Sequence, residues 1–541
     1  MRANQTDAAR GKRTSGIKWL SFAVYFDAML LAPRAWFTAL WWRVLGKKVR
    51  ARIQFAPLLD ASPRAYRLWM LNEKASEVSD TGDGPAIIAL VDAGPGQADT
   101  INSLREQCLI VLPLGTSAVP SLAAAAAQIE WNMATWLLPV MAGDVLAPDA
   151  VAAYRAAINL ARGAVIYADD DILDAEGRRT APHFKPGWNA ELFRHFDYLT
   201  GACIVRAERN DLAMLSGANW AAELVAAAAE GRCGAPMHLP HVLHHRRSRS
   251  APRVPVTFKQ EQADLPRVSV IVPTRNRHDL LRTCLEGLKR TDYSDLEVIV
   301  VDNDSNDPET LEYLANIDLS NYQVLRHPGP FNFSKINNHA AEFATGDLLC
   351  LLNNDIEVLE PDWLAIMARQ ALRPEVGAVG ARLLYPDGRI QHAGVVMGIC
   401  GGAAHAHRLV HPDDQGYYRR HALPQFVSAV TGACLVLRRE SFKTVGGLDE
   451  ANFAVAFNDV DLCMRLNARG WQAFYEPRAT LIHHESVSRG LDRDPEGAAR
   501  FARELAALNA AWRTGAEFDE RVDPYHHPQL SRFSERFALR L

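Results

Sequence analysis

The 541-residue chain lacks several things, and each absence removes a class of answer. Its 8 cysteines, at 108, 203, 233, 284, 350, 400, 434 and 463, contain no CxxC pair. That excludes a disulfide framework or a clustered zinc site, and Cys350 and Cys434, set in apolar runs, read as buried thiols of a reducing compartment. A net charge of -4 gives no basic excess, so no nucleic acid partner is expected. No GxGxxG turn follows the apolar strands, which argues against a nicotinamide-linked dehydrogenase. Nor is there an unbroken run of the ~18 apolar residues that span a bilayer, because Asp27, Pro33 and Arg34 interrupt WLSFAVYFDAMLLAPRAWFTALWW. Without a bundle of such runs, a synthase that secretes its own polymer is disfavoured. No small-residue cleavage site follows a short apolar core, so no signal peptide is expected.

What is present is long enough for two or more cores. The aromatic stretch above is preceded by Arg2, Arg10, Lys12, Arg13 and Lys18 and followed by Arg43, Lys47, Lys48, Arg50 and Arg52. Aromatics flanked by cations suit helices lying in the interface of an anionic membrane; a hairpin packed on the body is the plainer alternative. Residues 1–60 are therefore expected to form a membrane-associating segment. RRSRSAPRVPVTFK, from Arg246, is basic and contains proline, and 246–264 reads as a linker between domains at 61–245 and 265–515, with a tail at 516–541.

After the linker, VSVIVPTRNR, LEVIVVDNDS and LLCLLNND each run from an apolar strand into polar residues, with helical spacing between them. The alternation predicts an α/β fold whose mostly parallel sheet is covered by helices on both faces. Ligands bind such sheets at the carboxyl ends of the strands, here Thr274-Arg275-Asn276, Asp302-Asn303-Asp304 and Asn353-Asn354-Asp355. The chain also repeats itself in order. TGACIVRAE (from Thr200) matches TGACLVLRRE (from Thr431), and HVLHHRRSRS (from His241) matches TLIHHESVSRG (from Thr480). WLLPVMAGDVLAPDA (from Trp136) matches LLCLLNNDIEVLEPDW (from Leu348), which places Ala142 opposite Asp355. The first copy keeps the strands and lacks the acids.

In the second copy, Asp355 with Glu357 two residues on offers oxygen ligands to a hard divalent ion. Asp302 can accept hydrogen bonds from a ribose or a base, and Arg275 and Lys335 can meet phosphate. Asp459 and Asp461 open a helix-like stretch, where an acid serves either as a cap or as a general base. His483 or His484 can complete a metal site beside a carboxylate.

These motifs, with FNFSKINNHAAEFATGDLLCLLNNDIEV, VTGACLVLRRESFKTVGGLDE and FNDVDLCMRL, resemble the family 2 glycosyltransferases of the GT-A fold. The likeness is greatest to bacterial enzymes of surface-polysaccharide assembly, many of them rhamnosyltransferases, and it runs from about Arg267 to Gly490. It implies tandem GT-A domains, the first degenerate and the second catalytic. It implies nucleotide-sugar contacts from Pro273, Arg275, Asn276, Asp302, Asn303, Asn338, Asn353 and Asn354. Asp355 stands as the last acid of the DxD motif, holding Mn2+ or Mg2+ with His483, and Asp459 as the general base, with Asn458 where the family has glutamate. The implied reaction is inverting transfer from a nucleoside-diphosphate-sugar to a lipid-linked oligosaccharide or polysaccharide, by an enzyme peripheral on the inner face of the plasma membrane. A non-catalytic binding protein on the same fold is the alternative.

Overall fold

A computed structural model describes residues 2–73, 85–107, 109–131, 135–231, 234–256, 265–317, 321–484, 494–514 and 523–541. Side chains are described from residue 16. Ser488 and Arg489 of the LIHHESVSRG motif lie outside the described residues. The chain divides into two compact units, one of Met1–Pro252, Pro524–Ser531 and Leu539–Leu541, the other of Arg253–Asp523 and Arg532–Ala538.

The first unit begins with three helices, α1 (Arg2–Leu31), α2 (Pro33–Val44) and α3 (Lys48–Asp60). Pro33 opens α2, where its missing N–H costs nothing. Leu20, Val24, Ala28, Ala39, Ala51, Phe55 and Leu59 form their shared core. Asp27, the acid that interrupts the apolar stretch, accepts hydrogen bonds from Ser62 (2.7 Å) and Arg64 (2.8 Å). The strands follow: β1 (Ile87–Val91), β2 (Ile110–Pro113), β3 (Trp136–Val140), β4 (Val145–Leu146), β5 (Val165–Leu173), β6 (Arg179–His183), β7 (Cys203–Arg206) and β8 (Met237–Arg246). They make one sheet in the order β2-β1-β3-β7-β5-β8-β4, with β6 beside β5.

The second unit contributes β9 (Val268–Thr274), β10 (Leu296–Asp302), β11 (Tyr322–Arg326), β12 (Leu348–Leu352), β13 (Ile356–Val358), β14 (Val376–Leu384), β15 (Ile390–His392), β16 (Val395–Met397), β17 (Ala403–His405), β18 (Gln425–Val427), β19 (Cys434–Arg438) and β20 (Gln472–His483). The main sheet runs β11-β10-β9-β12-β19-β14-β20-β13, while β16 and β17 pair separately. Every residue of β9 and of β12 is buried, as expected where helices cover both faces.

Both sheets are mixed. β9 is parallel to β10 and β12, but β19 enters antiparallel to β12 and to β14, and β20 returns parallel to β14. An apolar strand pattern does not reveal direction, which is why the alternation alone suggested a mostly parallel sheet. In the first unit, β1, β3, β7, β5, β8 and β4 have the same order and senses as β9, β12, β19, β14, β20 and β13. The repeat read from TGAC and HH is therefore a repeat of topology. β8 extends through the buried Arg246, so the first residue of the expected linker is a strand residue.

Candidate active site

The register of the second sheet assembles the site. Asp302 pairs across from Thr274, and Leu351 from Ile271, so the carboxyl ends of β10, β9 and β12 finish along one edge. Beyond them Asn353 donates its N–H to Ala433 O (2.9 Å), joining the polar triplet to the Thr431-Gly432-Ala433 turn. Asn354 donates its amide to Thr274 Oγ1 (3.0 Å). Asp355 is buried, and its Oδ1 lies 3.1 Å from His483 Nε2.

Asp459 is half-buried in the first turn of the helix Asn458–Asn467, and Gly432 donates its N–H to Asp459 Oδ2 (2.8 Å). A helix N-terminus suits a carboxylate, and so does this backbone donor. Asp461 is committed elsewhere. It is buried, pairs with Arg465 (2.8 Å) and accepts from Trp512 Nε1 (3.1 Å). Of the two acids, Asp459 is the one facing the turn that carries the triplet.

The paired histidines also separate. His484 Nε2 lies 2.9 Å from Glu357, while His483 Nδ1 lies 2.7 Å from Gln391 Oε1. With Gln391 accepting, the Nδ1 of His483 carries the proton and Nε2 presents a lone pair toward Asp355. The amide of Asn353 reaches that nitrogen only from 3.4 Å. At 3.1 Å, Asp355 Oδ1 and His483 Nε2 are close enough to share one cation. One carboxylate and one neutral imidazole fit a divalent ion of the Mn2+ class, whose remaining positions go to phosphate and water.

Other expected contacts are spent on the loops. Asn276, in the left-handed conformation at φ 57°, accepts the N–H groups of Asn306 and Asp307 (2.9 and 3.1 Å). Asn303 donates to His327 O and Gly329 O (2.9 and 3.0 Å). Asn338 donates to Leu448 O and accepts its N–H, both at 2.9 Å. Asp302, buried, accepts the N–H of Ser305 (3.0 Å). Pro273 is buried within β9, whereas Arg275 and Lys335 are exposed. Sequence reasoning missed Gln391, since a lone glutamine in IQHAG carries no signal until β15 and β20 come together.

The first unit fills the equivalent place differently. A Cβ on Gly201 would strike the Arg246 guanidinium at 2.3 Å, in the turn that matches Gly432. Arg246 lies 3.6 Å from Asp144 and 3.9 Å from Asp170, and Asp170 also pairs with Lys185 (2.8 Å) and Arg249. The Arg246 guanidinium thus lies against a turn whose counterpart in the second unit faces Asp459. Burial would raise the Asp170 carboxyl, but Lys185, Arg249 and Arg246 hold it well below the usual range.

A further acid–imidazole group, Asp169 with His238 and His527, has ligand atoms within 4.8 Å of one another. Gln529 donates its N–H to His527 Nδ1 (3.0 Å), so the proton sits on Nε2, 2.7 Å from Asp169. His238 Nε2 (2.9 Å) and the Lys185 N–H (2.9 Å) face the other carboxylate oxygen. Asp169 Oδ1 thus accepts the Lys185 N–H and lies beside His238, while Oδ2 stands 2.7 Å from His527 Nε2.

Residues 269–446 match the model of the family described as Glycosyl transferase family 2. Residues 269–446 therefore carry a family 2 glycosyltransferase domain. The chain also resembles longer proteins. The chain is 38% identical over 443 residues to the uncharacterized protein y4gI of Sinorhizobium fredii, covering 73% of this chain and 48% of the relative. It is 36% identical over 445 residues to the O-antigen biosynthesis protein RfbC of Myxococcus xanthus, covering 74% and 34%. An N-acetylglucosaminyl-diphospho-decaprenol L-rhamnosyltransferase of Mycobacterium tuberculosis is 31% identical over 163 residues, 29% of this chain and 52% of that one. The chain thus spans about half or less of the length of the first two.

Proposed function

We propose that the chain is an inverting, divalent-metal-dependent glycosyltransferase of cell-surface polysaccharide synthesis. It would move a sugar from a nucleoside-diphosphate-sugar to a hydroxyl of a growing lipid-linked glycan. The observation that carries this reading is that Asp355 and His483 stand 3.1 Å apart while the Thr431-Gly432-Ala433 turn, which accepts the N–H of Asn353, donates to Asp459. Names of relatives that include an O-antigen biosynthesis protein and a rhamnosyltransferase support the polysaccharide assignment.

Asp355 and His483 would hold the metal, which when bound neutralises charge on the departing diphosphate. Asp459 accepts the proton of the acceptor hydroxyl as its oxygen attacks the anomeric carbon from the face opposite the leaving group. The Gly432 N–H fixes the orientation of that carboxylate. Asp302 offers its carboxylate to a ribose or base, Arg275 and Lys335 lie free to meet phosphate, and Asn276, Asn303 and Asn338 shape the loops around the nucleotide. The first unit, with Arg246 and Lys185 built into its core, is the non-catalytic copy.

The α1–α2 surface suits an anionic membrane. Trp19, Phe22, Leu30 and Trp41 are each at least 60% exposed, beside exposed Lys18, Arg34, Arg43, Lys47 and Lys48. Among the described residues, no helix is long and apolar enough to cross a membrane. The helices would therefore lie in the interface, placing the enzyme on the inner face of the plasma membrane, beside lipid-linked acceptors.

The test is nucleoside-diphosphate release from a panel of nucleotide-sugars, with Mn2+ or Mg2+ and then with EDTA. One donor should give metal-dependent release, and Asp459→Asn should lower its rate about 10²–10⁴-fold. Release that survives EDTA, or an unimpaired Asp459→Asn enzyme, would refute the mechanism.

A further inference from the structure

We propose that Gln391 is the positioning residue that makes His483 a metal ligand; this rests on the reading of Asp355 and His483 as the metal site. Gln391 is buried on β15, a three-residue strand that pairs antiparallel with β14. Its side-chain oxygen stands 2.7 Å from His483 Nδ1. A neutral imidazole has one N–H and one lone pair, so an acceptor at Nδ1 forces the lone pair onto Nε2. That is the nitrogen facing Asp355 at 3.1 Å.

The first unit shows what the opposite arrangement does. There a backbone donor at Nδ1 of His527 places the proton on Nε2, the nitrogen that faces Asp169 Oδ2 at 2.7 Å. The two sites contain similar groups at similar distances. The partner at Nδ1 separates them.

Gln391 also ties this ligand to its surroundings. Its backbone oxygen lies 3.0 Å from His405 Nδ1, so the residue that orients His483 is attached to β17 as well. The ring of His392, next in sequence, stands edge-on to His405 at 4.8 Å and is buried. His483 therefore rests against a layer in which rotation of its ring is blocked on the Nδ1 side. Partners of this kind orient ligating histidines, and their loss weakens metal binding by about 10–100-fold.

The experiment is Mn2+ titration of the full chain, followed by the resonance of free Mn2+, for wild type, His483→Ala, Gln391→Met and Gln391→Glu. Methionine keeps the volume and removes the acceptor; glutamate keeps an acceptor and cannot donate. Gln391→Met is expected to bind Mn2+ about 10–100-fold more weakly, and Gln391→Glu within a few-fold of wild type. If His483→Ala binds as wild type does, the metal site itself is wrong and the role of Gln391 falls with it. If His483→Ala is weakened while Gln391→Met is not, the metal site stands and the positioning role alone is overturned. Loss in both Gln391 variants would mean that the amide donates to His483, which also overturns it. A histidine-selective 15N spectrum of the metal-free wild type, with His483 assigned by its absence in His483→Ala, needs no Gln391 variant. It should show the proton on Nδ1, and a proton on Nε2 would contradict the proposal.

Discussion

At the scale of single residues, neighbours decide what an acid does. Asp459 and Asp461 sit two apart in the first turn of one helix, and either could have been a cap or a base. Asp459 faces the backbone N–H of Gly432 and remains half-buried, whereas Asp461 is buried against Arg465 and Trp512. The two substitutions to asparagine should therefore separate. Asp459→Asn should lose rate with its melting temperature unchanged. Asp461→Asn should keep turnover per folded molecule and lose about 1–3 kcal/mol of stability, because Arg465 is left without its charge partner. Urea titration with active-site-normalised rates distinguishes them, and a stable but slow Asp461→Asn enzyme would contradict the assignment.

At the scale of elements, each helix or strand carries two faces with different tasks. On α1 and α2, Leu20, Val24, Ala28 and Ala39 face the inner core, and Trp19, Phe22, Leu30 and Trp41 face out. Replacing Phe22 and Trp41 together by serine removes nothing from that core. Thermal stability should stay within about 0.5 kcal/mol of wild type, as for surface changes elsewhere. Partition onto phosphatidylserine-containing vesicles should fall roughly tenfold or more, since each buried aromatic contributes on the order of 1.5–3 kcal/mol. Cosedimentation measures it, and unchanged partition would remove the membrane role from this surface. In the sheet, the polar ends of β9, β10 and β12 were legible because a buried strand has no other reason to finish in Asn and Asp. The direction of β19 was not, because an apolar run packs equally well either way round.

At the scale of the whole molecule, both units keep histidines buried and uncharged. Burial holds His183 and His244 well below the ordinary imidazole value; Lys185 and Arg246 add to it at His244, whereas at His183 Asp170 opposes it and Arg249 and Lys185 support it. In the other unit burial does the same to His392 and His407, aided by neighbouring histidines. The unfolded chain then binds protons at a higher pH than the folded one, so stability is complete above about pH 6.5 and declines as pH falls toward the depressed folded values. Each group contributes up to about 1.4 kcal/mol per pH unit in that window. The melting temperature should fall steadily between pH 7 and 5.5, and a flat profile would mean that these rings are reached by water. The C-terminal residues add a feature that their sequence did not announce. Pro524–Ser531 and Leu539–Leu541 belong to the first unit, where His527 meets Asp169 and Trp69 donates to Gln529 (3.2 Å). The stretch was expected to be a tail because nothing in its local pattern marks a partner hundreds of residues away.

The sequence by itself determined the strand-and-helix alternation, the family motifs, the repeat and the alanine, Ala142, that stands opposite Asp355 in the first copy. Those features are local: a buried strand must be apolar, and the residues after it are released from that demand. Tertiary structure alone decided that Asp459 faces Gly432 while Asp461 pairs with Arg465, that His483 rather than His484 faces Asp355, and that a backbone N–H meets Nδ1 of His527. Those outcomes turn on Gly432, Gln391 and Gln529, each made decisive by what it stands beside. A hydrogen bond of under 3 Å from Gly432 or Gln391 depends on chain segments brought together only by the fold.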